Sequence, residues 1–338
     1  MGLDRRGFLG GAAGLLMAGT GLEPRVQAQS DEGEPTAFLM ISDTHVLADA
    51  ADPTRLDPRC VAVTERFVDR LNGLVGMEIP EQAGGGRVRP LRGVIHGGDC
   101  IDTGDKPKVE MQRTEWAGFE QYYGLTGRDG RLQLPLYEVH GNHDSPRGDG
   151  YAVQRIRERN KNRPGLTAIS ENGLHYSWDW GGVHFVQTNL YPADRQHPKV
   201  RYSLPWHDPQ GALTFLREDL AASVGTSGRP VVVASHCGVD TDWWHPEDWA
   251  EFHKAVGPYN VIAYFYGHSG TGLRKFRPAE GDKPIDCVNT GQTEKGFFAC
   301  QVTPSRLRLA YHAKKDPRAE KPEWEWKYML DKPLGRGN

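Results

Sequence analysis

The chain has 338 residues, of which 25% are charged and 38% hydrophobic, with a formal net charge of −3. This is the composition of a soluble globular protein of one large domain or two ordinary ones, and it excludes nucleic-acid or anionic-membrane recognition driven by a basic surface. Its five cysteines (Cys60, Cys100, Cys237, Cys287 and Cys300) show no CxxC spacing; they imply no disulfide framework, although one bridge is compatible with their number.

The start of the chain reads as a targeting segment. Asp4-Arg5-Arg6-Gly7-Phe8-Leu9 has the form of a twin-arginine signal, and a weakly apolar stretch follows from Gly10 to Leu22. Pro24 then breaks that stretch, and Val26-Gln27-Ala28 offers a small-residue cleavage site. Residues 1–28 are therefore expected to engage the twin-arginine translocation machinery and to be removed, leaving a periplasmic or secreted protein. The apolar stretch is short and Gly-rich, so no transmembrane segment is expected in the mature chain.

Beyond it, a strand is expected at 36–42 and a helix at 59–75, with Val61, Val68, Leu71 and Val75 on one face. A strand at 92–96, a helix at 108–123, a strand at 134–139 and a basic helix at 150–161 follow. Leu174 to Trp180 and Val183 to Thr188, joined by Gly181-Gly182, read as a hairpin. A helix at 209–222, a strand at 231–235, a short helix at 248–256 and a strand at 261–266 come next. The remainder is expected to be β-rich, at 285–289, 296–302 and 306–311. This order, βα units and then mostly strands, predicts an α/β fold of two packed sheets flanked by helices over residues 29–313. Residues 314–338 are expected to be a polar tail, packed on the domain through Trp324 and Trp326.

Five of the strands end on groups that ligate metal. The stations are Asp43-Thr44-His45, Asp99-Cys100-Ile101-Asp102, Asn142-His143-Asp144, His236 and His268-Ser269-Gly270. Short runs rich in Val, Ile and aromatics read as buried strands, and ligands in open α/β sheets gather outside the carboxyl ends of strands. Carboxylate, imidazole and amide oxygen all suit hard or borderline divalent metals. A carboxylate such as Asp99 can bind two cations through its two oxygens. Two metals roughly 3.5–4 Å apart can clamp both oxygens of an in-line displacement at phosphorus.

In order and spacing, Asp43-x-His45, Gly98-Asp99-x-x-Asp102, Gly141-Asn142-His143-Asp144, the lone His236 and Gly267-His268 resemble the calcineurin-like metallophosphoesterases. The resemblance spans residues 38 to about 270. It implies a four-layer α/β/β/α sandwich of two mixed sheets and a binuclear centre of iron, manganese or zinc. Asp43, His45 and Asp99 would hold metal one; Asp99, Asn142, His236 and His268 would hold metal two. Metal-bound hydroxide would attack phosphorus, and His143 would act as the acid. Asp102 is expected to pair with His143 and raise its pKa.

The family commonly ends on Gly-His-x-His, whereas this chain has Gly267-His268-Ser269-Gly270. Metal one is thereby left with three protein ligands and is expected to be the more labile. Catalytic sites do keep open positions, so hydrolysis of a small phosphate ester remains the expectation, with a phosphodiester favoured. The alternatives are a phosphomonoesterase and a non-catalytic phosphate- or headgroup-binding protein. Arg147 and Asn189 are weaker candidates for substrate contact. Loop aromatics between the third and fifth stations, among them Trp206, Trp243 and Trp249, read first as anchors and second as a wall for an organic leaving group.

Overall fold

The structure, a computed structural model, describes residues 34–145, 148–189, 208–238, 246–277, 280–317, 319 and 321–335. The proposed signal peptide, Arg147, Trp206 and Trp243 lie outside the described residues. Among those described, no helix is long and apolar enough to cross a membrane.

In chain order the elements are β1 (Thr36–Ile41), α1 (Pro58–Asn72), β2 (Leu91–His96), α2 (Val109–Tyr122), β3 (Leu136–Glu138), α3 (Gly150–Asn162), β4 (Leu166–Ile169), β5 (Tyr176–Trp180), β6 (Val183–Gln187), α4 (Ala212–Asp219), β7 (Val231–Ala234), α5 (Pro246–Val256), β8 (Val261–Tyr266), β9 (Gly272–Phe276), β10 (Ile285–Asn289), β11 (Gly296–Val302), β12 (Arg306–Lys314) and β13 (Trp324–Pro333). They build a six-stranded sheet, β13-β12-β11-β1-β2-β3, and a seven-stranded sheet, β4-β5-β6-β7-β8-β10-β9. Both are mixed. Strands β1, β2 and β3 pair in parallel, as do β6, β7, β8 and β10, with antiparallel strands outside them.

The sheets pack face to face. Phe38, Met40, Ile95 and Phe298 of the first meet Phe185, Val232, Phe265 and Val288 of the second. Alternation along β1 sends Leu39 and Ile41 the other way, onto Phe67, Val68, Trp116 and Phe119 of α1 and α2. Leu213, Leu216 and Phe252 cover the outer face of the second sheet through α4 and α5. The architecture is therefore the expected α/β/β/α sandwich, and strands buried on both faces explain the continuous apolar runs.

Helix α1 shows how local chemistry sets the frame. The Asp57 side chain caps it by accepting from the Cys60 N–H at 2.8 Å, and proline stands at its first turn. Thr64, Phe67, Val68 and Leu71 then fall on one buried face at helical spacing. Burying each large apolar side chain contributes about 1.5–3 kcal/mol. The hairpin also forms as expected: Trp180 pairs with Val183, and Gly181 takes φ 57° at the first turn position.

The end of the chain departs from expectation. Residues 324–333 are not a tail laid on the domain but the edge strand of the first sheet, paired with β12 from Arg306↔Pro333 to Lys314↔Trp324. The register shifts between Tyr311 and His312, so Lys327 is an extra residue on β13. That bulge flips the faces. Trp324 and Trp326 pack on the helix side, while Tyr328 and Leu330 pack between the sheets. The short strands β4 and β9 were also unforeseen; both are partly exposed edges. Among the described residues no disulfide links any of the five cysteines, so the compatible bridge is not formed.

Candidate metal centre

The ligand loops leave the carboxyl ends of β1, β2 and β3 in one sheet and β7 and β8 in the other. Their turns are sharp. Six non-glycine residues among those described have positive φ, and four of them are Asp43, His45, Asp99 and His268. Such conformations cost of order 1–3 kcal/mol each and persist only where the surroundings hold them. The glycines beside the ligands are steric requirements. A Cβ on Gly141 would lie 2.2 Å from Asp99 Oδ1, and one on Gly267 would lie 1.8 Å from Ser42 Oγ and 2.4 Å from Asp43 Oδ2.

Asp99 is the hub. His45 Nε2 lies 3.7 Å and His236 Nε2 3.4 Å from its Oδ2, while the His143 N–H donates to its Oδ1 at 2.8 Å. Asp43 Oδ1 is 3.8 Å from His45 Nε2. On the other side, His236 Nε2 and His268 Nδ1 lie 2.9 Å and 2.7 Å from Asn142 Oδ1. Asp43, Asp99 and His236 are buried, and their ligand atoms fall within 4.8 Å of one another.

This donor set fits metal ions. His236 Nδ1 is 2.7 Å from the Gly97 carbonyl, which only accepts, so Nδ1 carries a proton and Nε2 is the atom free to take either a second proton or a metal ion. Nε2 faces a carboxylate and an amide oxygen, so it needs a proton or a metal ion among them. Burial opposes charge on His236, yet the Asp99 and Asp43 carboxylates outweigh it and push its pKa to about 9. His45 is likewise opposed by burial and raised to about 9 by Asp102, Asp99 and Asp43. Burial pushes the Asp43 carboxyl up, while His236, His45 and His143 hold Asp99 well below the carboxylate range despite burial. The cluster thus calls for positive charge at its centre.

The profile of the family "Calcineurin-like phosphoesterase" matches residues 36–271, from β1 to the end of the fifth station. The chain belongs to the calcineurin-like phosphoesterase family. Among curated proteins it is similar to purple acid phosphatase 23 of Arabidopsis thaliana, 26% identical over 175 residues. That match covers 48% of this chain and 33% of the relative, so the chain spans about a third of that protein's length. Among solved structures it is similar to PhoD, with a TM-score of 0.55 at 10% identity, over 90% of this chain and 70% of that one. At such identity the likeness concerns the fold.

The structure refines the roles expected around this candidate centre. His143 Nδ1 lies 3.1 Å from the Asp102 backbone carbonyl and 3.7 Å from its carboxylate. The carboxylate sits nearer His45 Nδ1, at 3.3 Å, and also holds Lys106 Nζ at 3.2 Å. Its contact with His45, followed by Lys106, overcomes burial and lowers the Asp102 pKa to about 2. The expected Asp102–His143 dyad is therefore made mainly through the carbonyl, and the carboxylate addresses His45, a candidate metal ligand, instead. Asn189 is buried, with its amide on His140 Nε2 and its N–H on His175 Nδ1, and it does not line the cleft. Trp249 is buried under the second sheet, as an anchor.

Other residues were missed from sequence. Asp144 is buried and accepts from the N–H groups of Gly141 (2.7 Å), Cys100 (3.1 Å) and Ile101 (2.9 Å). It locks the second station to the third. Its place in Asn142-His143-Asp144 was the available signal. The centre opens into a cleft of about 660 Å³, which is also lined by Asp57, Arg59, Cys60 and Val63 and by Gln292, Thr293 and Glu294. Arg59 is exposed there and has no ion-pair partner among the described residues. No spacing rule marks Arg59 or Gln292 in the sequence.

Proposed function

We propose that this protein is an exported phosphoesterase that hydrolyses a phosphate ester at a two-metal centre. The observation that carries this reading is the convergence of Asp43, His45, Asp99 and His268 in the lining of one open cleft, with His143 beside them in that lining and with Asn142 and His236 in contact with them. Bound metal ions would supply Lewis acidity and an activated water. The chain's own groups do the rest. Asp99 holds the two halves of the centre together. The Asp102 carbonyl accepts from the His143 Nδ1–H, so the imidazolium form carries its second proton on Nε2 and can give that proton to the leaving oxygen. Arg59 offers a cation to a non-bridging phosphate oxygen or to an anionic leaving group.

A phosphodiester is favoured because a cleft of about 660 Å³ has room for a substrate with groups on both sides of phosphorus. The name of the purple acid phosphatase relative supports the second reading, a monoesterase. The twin-arginine pattern at Arg5-Arg6 supports export. The test compares metal-dependent hydrolysis of bis(4-nitrophenyl) phosphate and 4-nitrophenyl phosphate by the wild type and His143→Ala. A diesterase favours the first substrate, and the variant loses about 10²–10⁴-fold in kcat with its metal content kept. Turnover that is insensitive to chelator, or unaffected in His143→Ala, would refute the mechanism.

A further inference from the structure

The first metal position lacks the histidine that family chains carry two residues after His268, where this chain has Gly270. A different loop reaches that place. The turn after β10 packs directly on the fifth station: a Cβ on Gly291 would lie 2.3 Å from Thr271 Oγ1 and 3.4 Å from the Gly270 carbonyl oxygen. Asn289 fastens the same two loops, its Nδ2 donating to Ser269 Oγ at 2.9 Å and its Oδ1 accepting from the Gly291 N–H at 2.9 Å. Two residues on, buried Thr293 brings its Oγ1 to 3.5 Å from the carbonyl oxygen of Asp43, a first-position ligand.

Gln292 lies between these two anchors. One neighbour backs onto the Gly270 loop and the other onto Asp43. Thr293 is buried, whereas Gln292 is exposed and lines the same cleft as Asp43, His45 and Asp99. Glu294 also lines the cleft, but its charge acts on Lys314 of β12. Gln292 carries a neutral oxygen donor, as the missing histidine would carry a neutral nitrogen, so the charge of the centre is preserved.

We propose that Gln292 supplies the side-chain oxygen that completes the first metal position, in place of the histidine absent at position 270. This rests on the two-metal reading above. It makes the positions chemically unequal. The first gathers oxygen from Asp43, Asp99 and Gln292 with one imidazole; the second has two oxygens and two imidazoles. Harder, oxygen-preferring ions such as manganese belong at the first, and zinc is favoured at the second.

The test is elemental analysis of purified protein after dialysis against graded chelator, with manganese and zinc supplied together. The wild type should retain two ions per chain. Gln292→Ala should lose one of them, chiefly manganese, at a chelator concentration about tenfold lower or more, while the other ion stays. Gln292→Glu, which restores an oxygen donor, should recover it. Circular dichroism melts verify that the variants fold. Two retained ions in Gln292→Ala at the wild-type chelator midpoint would overturn the proposal alone. A wild type that takes up fewer than two ions would overturn the two-metal reading with it.

Discussion

The backbone N–H of His268 donates to the Asp43 carboxylate, 3.0 Å from Oδ2 and 3.2 Å from Oδ1, across 225 residues of sequence. This contact joins the last ligand loop, on the second sheet, to the first ligand loop, on the other. It makes the carboxylate a latch between sheets as well as a candidate metal ligand.

The two uses can be separated. In the metal-free protein Asp43 is buried beside Asp99, an arrangement that resists charge. Asp43→Asn keeps an acceptor for the His268 N–H and removes the repulsion, so the metal-free variant should be at least as stable as the wild type in urea. Asp43→Ala leaves that N–H without its acceptor and should cost about 1–3 kcal/mol. Neither variant should gain the stabilisation that added metal gives the wild type. Urea midpoints with and without metal check all three statements.

The Asp102 carboxylate addresses His45 rather than His143. Asp102→Asn should therefore weaken metal retention about 10–100-fold, as the loss of a residue that orients a ligand does. The carbonyl contact that fixes the His143 tautomer should survive it. Chelator titration reads the first effect, and the acid limb of the pH–rate profile at saturating metal should stay in place.

How much of this was legible from the sequence depended on range. The five stations were legible because each follows a short apolar run and is set by a turn within a few residues. Glycines that the steric contacts at Gly141 and Gly267 demand gave those turns away. The division of strands between two sheets followed from the family resemblance and from runs buried on both faces. Strand β13 was hidden by its own bulge. Trp324, Trp326, Tyr328 and Leu330 alternate with charged residues and Met329, but Lys327 shifts the register so that the two pairs face different cores. The His45–Asp102 contact and the cleft walls at Arg59 and Gln292 arise from loops meeting in space, and no local pattern records them.

The strand-edge role of the chain end has a direct consequence. Truncation after Lys314 removes β13 and leaves the long strand β12 as an unpaired edge. It also strips Trp324 and Trp326 from His312 and from the α1 face. The truncated protein should be destabilised by several kcal/mol and should aggregate through the exposed edge. Thermal melts and light scattering check this; a soluble monomer with the wild-type midpoint would restore the view of residues 314–338 as a dispensable tail.

Buried Glu138 anchors the strand that delivers Asn142 and His143. Its carboxylate accepts from Arg159 Nε at 2.6 Å and Arg163 Nη2 at 2.7 Å. Burial opposes ionisation, but the two guanidiniums outweigh it and lower the pKa from 4.5 to about 2. A depressed carboxylate contributes stability that is full above the unfolded value and is lost as pH falls through the folded one. The window is therefore pH 4.5 down to about 2, and the contribution is about 3 kcal/mol. Glu138→Gln should lose this pH dependence and, with two buried arginines left uncompensated, about 3–5 kcal/mol of stability near neutral pH. Urea unfolding across that pH range provides the comparison.

The central claim is a two-metal centre built on Asp99. An anomalous-scattering map of crystals grown with manganese and zinc tests it most directly. The account predicts two peaks flanking the Asp99 carboxylate, one among Asp43, His45 and Gln292 and the other among Asn142, His236 and His268. A single peak, or none within ligand distance of Asp99, would contradict it.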